Sequence, residues 1–159
     1  MLEAFHAIDR GHLYEATVRG SFDLSDDLVW VDLISPSAEE QTWVSEAYGQ
    51  NLPTLKSLED ISASSRYYRD DDGVLHISTY FLTKNRHQLA DEGEVSSSQI
   101  LAQAHTVAFI LHKNRLFTLR GPKLLSFRAF RARAHRNDYE LDYHDPVWIL
   151  LGLLEAKLD

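Results

Sequence analysis

Residues 58–81 read Leu58-Glu59-Asp60-Ile61-Ser62-Ala63-Ser64-Ser65-Arg66-Tyr67-Tyr68-Arg69-Asp70-Asp71-Asp72-Gly73-Val74-Leu75-His76-Ile77-Ser78-Thr79-Tyr80-Phe81. Their order predicts a helix end, a strand, a tight turn and a second strand. Asp72-Gly73 is the pair that a two-residue hairpin turn prefers, because glycine adopts positive φ without a Cβ clash and aspartate tolerates it. After the turn, Leu75, Ile77, Thr79 and Phe81 fall on one face and His76, Ser78 and Tyr80 on the other, the alternation of a half-buried strand. The stretch therefore predicts an antiparallel hairpin, whose aspartates are explained first as turn residues.

Outward from this hairpin, a chain of 159 residues suits one domain, burying about two thirds of the surface its unfolded form exposes. It has no cysteine, which excludes disulfides and thiolate metal sites and suits a reducing compartment. Met1-Leu2-Glu3-Ala4-Phe5 has no basic region followed by an apolar run, so no secretory signal is expected. The longest apolar run, residues 147–154, contains Gly152 and stops at Glu155, short of the roughly 20 residues a membrane span needs. The chain as it stands is expected to be soluble. Its net charge of −8 divides into −11 over residues 1–103, +8 over 104–137 and −5 over 138–159. An acidic surface disfavours nucleic acid and anionic lipid and favours cations or basic partners, while also aiding solubility.

A strand is predicted over residues 12–18, and Val29-Trp30-Val31-Asp32-Leu33-Ile34 reads as a strand covered on both faces. Asp32 interrupts that run; buried there it needs hydrogen-bond partners, and capping a neighbouring turn is the expected role. Pro36 suits a first helical turn, Ser37 and Glu40 have capping-box spacing, and Gly49 ends the helix. A short helix follows Leu52-Pro53-Thr54, with Leu55, Leu58 and Ile61 at burial spacing. Residues 83–103 are polar and read as a mobile loop. Residues 106–111 and 116–119 predict a second hairpin, then residues 124–136 a helix with Leu124, Phe127, Phe130 and Ala134 inward. Asp145 and Pro146 start a last helix that is expected to continue beyond Asp159.

The eight histidines form no local ligand pair such as His-x-His or His-Glu-x-x-His. His76, His105 and His112, on or just before strands, are expected to be hydrogen-bonded scaffold residues. No Gly-x-Ser-x-Gly, no glycine-rich loop after a strand and no calcium-loop spacing occurs, so an enzyme is not expected. The arginine band of residues 113–136 could bind phosphate or RNA, with Phe117, Phe127 and Phe130 as stacking aromatics, or could be a solvated or salt-bridged face.

One series of motifs stands in an informative order: Val29-Trp30-Val31-Asp32-Leu33 with Pro36 and Glu39-Glu40, Leu58-Glu59-Asp60-Ile61, Ser64-Ser65-Arg66, Asp70 to Gly73, Thr79-Tyr80-Phe81-Leu82, Arg115-Leu116-Phe117-Thr118-Leu119-Arg120 and Phe127 to Arg133. It resembles the cytoplasmic N-terminal domain of the CorA magnesium transporter family. The opening Met1 to Phe5 and the closing residues 150–158 look like its enterobacterial-type branch. The resemblance implies an α/β (mixed α+β) fold: a mixed, largely antiparallel sheet flanked by helices over residues 1–143, and the start of a long stalk helix over 144–159. It further implies two membrane spans and a Gly-Met-Asn pore signature beyond residue 159, in a homopentameric channel whose soluble domain stands on the cytoplasmic face of the inner (plasma) membrane. Mg²⁺ is then cargo, with Co²⁺ or Ni²⁺ as further cargo. It is also a regulatory ion, binding between the soluble domain of one subunit and the stalk of the next and favouring the closed state. Nucleic acid is not an expected partner, and the membrane is met only through the C-terminal part.

Carboxylates are the right ligands for Mg²⁺, a hard cation that keeps several waters and needs only one or two of them. Asp91, Glu92 and Glu94 are the candidate metal ligands on this reading, with Asp70, Asp71 and Asp72 as second choice. Two alternatives stand beside it: the soluble domain of a related zinc transporter, and a non-transport anion-binding or protein-interaction module built on the basic band.

Overall fold

Every residue of the strand Leu28–Ile34 is buried, as its near-continuous apolar run predicts for a strand covered on both faces. In the computed structural model, which describes residues 1–59, 67–85 and 101–158, this is the third of seven strands in one sheet. The strands are β1 (Leu2–Ile8), β2 (His12–Ala16), β3 (Leu28–Ile34), β4 (Tyr67–Arg69), β5 (Leu75–Asn85), β6 (Leu101–His112) and β7 (Arg115–Arg120). Their spatial order is β2-β1-β3-β7-β6-β5-β4. Only β3 and β7 pair in parallel; the other pairs are antiparallel.

Helices α1 (Ala38–Tyr48) and α2 (Leu55–Glu59) cover one face, where Val44 and Leu58 join Val31, Leu33, Phe117 and Leu119. On the other face α3 (Leu125–Arg136) and α4 (Pro146–Leu158) bury Phe127, Phe130, Ile149 and Leu153 against Trp30, Phe81, Phe109 and Leu116. The α/β class, the largely antiparallel sheet and the flanking helices are thus as the sequence predicts. Gly152 lets α3 and α4 approach closely: a Cβ there would lie 2.2 Å from Phe130 Cε1.

Several local expectations change. β1 escaped the sequence reading; its pattern is broken at His6, where the pairing with β3 shifts register so that Phe5 faces Trp30 and His6 faces Leu28. The extra residue, Val29, is a bulge, which is why Val29 and Trp30 both reach the same core. Pro36 precedes α1 rather than lying in its first turn, while Ser37 is the N-cap of a complete capping box and Gly49 closes the helix at φ 66°. The hairpin loop between β4 and β5 holds three residues, not two. Asp70 and Val74 still pair, the Gly73 N–H donates to the Asp70 carbonyl, and Gly73 has φ 80°, the glycine-bulge solution for a three-residue loop. Finally, β5 and β6 stay paired out to Asn85 and Leu101, so both ends of the stretch read as a polar loop are strand.

Candidate functional site

Side by side, β3 and β7 place Asp32 opposite Thr118 and Ile34 opposite Arg120. Asp32 is fully buried, and it does not cap a turn. Its Oδ2 accepts from Arg120 Nη2 at 2.7 Å, and its Oδ1 accepts from Arg120 Nε at 3.2 Å and from Thr118 Oγ1 at 2.7 Å. Trp30 Nε1 donates to Thr118 Oγ1 at 2.9 Å, and Arg120 Nη1 donates to the Pro122 carbonyl at 2.8 Å. The guanidinium lies 4.3 Å from the centre of the Phe127 ring. The carboxylate cannot be turn-bound because β3 is central and its neighbour offers a bidentate cation two residues along, the geometry that satisfies a buried charge best. The sequence signal for the pair was available in Arg120 itself, a charge that follows the largely apolar run Leu116-Phe117-Thr118-Leu119.

Beyond the carboxyl ends of the same two strands, the chain leaves β3 for α1 on one face and leaves β7 for α3 on the other. On the α1 side the crevice is closed by its own groups. Glu40 N–H donates to Ser37 Oγ at 3.1 Å, Ser37 N–H donates to Glu40 Oε1 at 3.0 Å, and the terminal ammonium of Met1 donates to the same Oε1 at 3.0 Å. Partial burial pushes the Glu40 carboxyl up, but the Ser37 N–H and the ammonium outweigh it and hold the group below its ordinary value. On the α3 side an open cavity of about 290 Å³ is lined by Glu3, Arg120, Lys123, Arg128 and Arg131 together with Ile34 and the start of α3. Arg131 pairs with Glu3.

The acidic turn of residues 70–72 is occupied by its own hairpin. Asp70 Oδ1 accepts from the N–H groups of Asp72 and Val74 at 2.9 and 3.0 Å, and its Oδ2 lies 3.0 Å from His76 Nε2. The His76 hydrogen bond, followed by those backbone donors, holds the Asp70 carboxyl below the usual carboxylate range. His76 stacks on Tyr68 with ring centres 4.5 Å apart. His112 meets Gln50 Nε2 at 2.8 Å, and His105, which lies within β6 rather than before it, meets Thr83 Oγ1 at 3.0 Å. These histidines are scaffold residues, as their strand positions predict. Asp91, Glu92 and Glu94 lie outside the described residues. Among the described residues no group of three or more histidine or carboxylate side chains converges on a point that could hold a metal.

The arginine band is largely committed. Arg115 donates to the carbonyls of Leu28 and Asp26 at 2.7 and 2.8 Å and lies over Tyr48, and Arg120 and Arg131 have carboxylates. Phe117, Phe127 and Phe130 are buried, Phe117 on the face opposite the other two, so they offer no stacking platform. Lys123 and Arg128 are exposed and have no carboxylate partner among the described residues.

A central mixed sheet with one parallel pair and helices on both faces is the architecture the motif order implied. Residues 25–159 match the family described as CorA-like Mg2+ transporter protein. The chain belongs to that family. It is 37% identical over its whole length to the magnesium transport protein CorA of Salmonella typhimurium and 36% to that of Escherichia coli, spanning 45% of each. Over 89% of the chain it is 40% identical to the Pectobacterium atrosepticum protein of the same name, spanning 41% of it. The chain thus covers less than half the length of these relatives. In fold it is similar to the ZntB cytoplasmic domain from Vibrio parahaemolyticus, with a TM-score of 0.54 at 10% identity over 97% of this chain and 56% of that one. No helix among the described residues is long and apolar enough to cross a membrane.

Proposed function

We propose that this chain is the cytoplasmic regulatory domain of a CorA-type divalent-cation channel. The observation that supports the reading best is the family match over residues 25–159, joined to relatives named for magnesium transport at 36–40% identity. In the full protein, residues 1–143 form the regulatory domain and residues 144–159 open the stalk. The spans and pore lie in the remainder, within the plasma membrane, and the regulatory domain stands on its cytoplasmic face. Five copies assemble, and Mg²⁺, with Co²⁺ or Ni²⁺ as further cargo, passes through them.

Regulation on this reading is a population shift. A cation shared between the acidic surfaces of neighbouring subunits lowers the energy of the closed state relative to the open one, and its loss leaves carboxylates repelling one another. Asp91, Glu92 and Glu94 are the proposed carboxylates, the ligand class that a hard, strongly hydrated cation accepts. The fold shared with a ZntB domain does not choose the ion; the relatives named CorA favour Mg²⁺ over zinc.

The test uses the full-length protein. Replacing Asp91, Glu92 and Glu94 together with alanine is expected to leave Mg²⁺ uptake running at internal Mg²⁺ concentrations that shut off the unmodified protein. An unchanged dependence on internal Mg²⁺ removes these residues, and uptake of Zn²⁺ with none of Mg²⁺ overturns the Mg²⁺ assignment in favour of the related zinc transporter.

A further inference from the structure

The crevice at the carboxyl ends of β3 and β7 is unused by the transport reading. In open sheets with helices on both faces, the place where neighbouring parallel strands send their chains to opposite faces is where ligands bind. β3 and β7 are such a pair, and the cavity of about 290 Å³ lies at their last residues, Ile34 and Arg120. Four cations line it, Arg120, Lys123, Arg128 and Arg131, against one acid, Glu3. Arg120 and Arg131 are balanced by Asp32 and Glu3, so the excess of positive charge is that of Lys123 and Arg128, in a protein whose net charge is −8.

The four cations divide by role. Arg120 is 3% exposed and is fixed from behind by Asp32, which balances its charge, and by the Pro122 carbonyl, so it forms a rigid wall. Arg131 is tied to Glu3 at the rim. Lys123 and Arg128 are exposed and have no carboxylate among the described residues. Between them starts α3, twelve residues long, with no side-chain cap and no acid in its first turn, and its Leu124 and Leu125 form part of the cavity wall. The start of α3 thus lies beside the two unpaired cations.

We infer that this crevice binds a phosphate group, carried either by inorganic phosphate or by a phosphorylated small molecule. A doubly charged tetrahedral oxyanion has enough acceptors to take Lys123, Arg128 and the α3 N–H groups at once, whereas a carboxylate or halide leaves some of them unused. RNA fits the surface less well, because Phe117, Phe127 and Phe130 are buried and cannot stack bases. The inference is independent of the Mg²⁺ reading, which places its ligands at residues 91–94.

Amide resonances of the ¹⁵N-labelled 159-residue chain test it, with phosphate and ATP titrated separately and ionic strength held constant with chloride. Saturable shifts confined to residues 123–128 are expected. In the double variant Lys123→Gln/Arg128→Gln the apparent affinity is expected to fall about a hundredfold, the loss of two charge-assisted hydrogen bonds. Both side chains are exposed and lie near the positive end of α3, so the thermal midpoint of the variant should not fall. Saturation by phosphate identifies the free ion as sufficient, and saturation by ATP alone identifies a phosphorylated molecule. Shifts that never saturate, that chloride reproduces, or that survive in the double variant overturn the inference.

Discussion

The two helices that leave the parallel strand pair begin in opposite ways. α1 closes its own N-terminus: Ser37 and Glu40 cap each other, and Glu39 and Glu40 place negative charge at the positive end of the helix. α3 begins at Leu124 with no side-chain cap and no acid in its first turn, among Lys123, Arg128 and Arg120. One start is satisfied by the protein, while the other leaves donors and positive charge for something else. The two also differ beneath the surface, since the buried Asp32–Arg120 pair supports the α3 side alone, with Arg120 both a core residue and a wall of the cavity.

Breaking that support has the largest expected effect. Replacing Asp32 with alanine leaves the Arg120 guanidinium buried without its partner, at a cost of about 3–5 kcal/mol. Denaturant unfolding of Asp32→Ala measures it. In the double variant Asp32→Ala/Arg120→Met the buried charge is gone, and most of the loss is expected to return. If the single variant loses less than about 1 kcal/mol, the pair is not the support for this side of the crevice.

On the α1 side the comparison predicts a smaller, pH-dependent effect. Ser37→Ala removes one half of the capping box and is expected to cost about 1 kcal/mol near pH 7. Glu40 supplies the other half, and its folded pKa lies below the ordinary value, about 4.3 for glutamate. A carboxylate with a depressed folded pKa contributes stability above its unfolded pKa and loses it as pH falls through the folded value. The stability difference between the protein and Glu40→Gln should therefore be full near neutrality and close on acidification below about pH 4. Denaturation midpoints of the two proteins across pH 3–7 check the sign, and a gap that widens on acidification breaks the assignment.

Periodic, local signals made most of this architecture legible. The alternation from Leu75 to Phe81, the capping box at Ser37 and the apolar stripe Phe127, Phe130 and Ala134 each encode an element within a few residues, and each is where the spacing puts it. β1 was not legible because Phe5 and Trp30 meet across a register shift, which only pairing with β3 reveals. The length of β5 was hidden because strand pairing, rather than composition, holds Thr83, Lys84 and Asn85 opposite Gln103, Ala102 and Leu101. The candidate site was the least readable part. Asp32 and Arg120 are 88 residues apart in sequence, and the crevice exists only because two distant strand ends are neighbours with helices turning to opposite faces. Charge counting found the basic band but could not tell the committed Arg115, Arg120 and Arg131 from Lys123 and Arg128.

Leu125 offers the finest test of the difference between the two starts. It is 82% exposed in the first turn of α3, so exchanging it sacrifices little burial. Leu125→Glu gives α3 the acid that α1 already has, beside Lys123 and Arg128. If the α3 start is electrostatically unsatisfied, the variant should be more stable by about 0.5 kcal/mol through the helix dipole alone. Leu125→Gln, similar in shape but uncharged, should gain nothing. The same carboxylate would compete for the groups assigned to phosphate, so Leu125→Glu is expected to gain stability and lose phosphate-induced amide shifts together, while Leu125→Gln keeps them. A glutamate that lowers stability would mean that the start of α3 is already balanced by its own surroundings, and the contrast with α1 would then be one of sequence without an energetic counterpart.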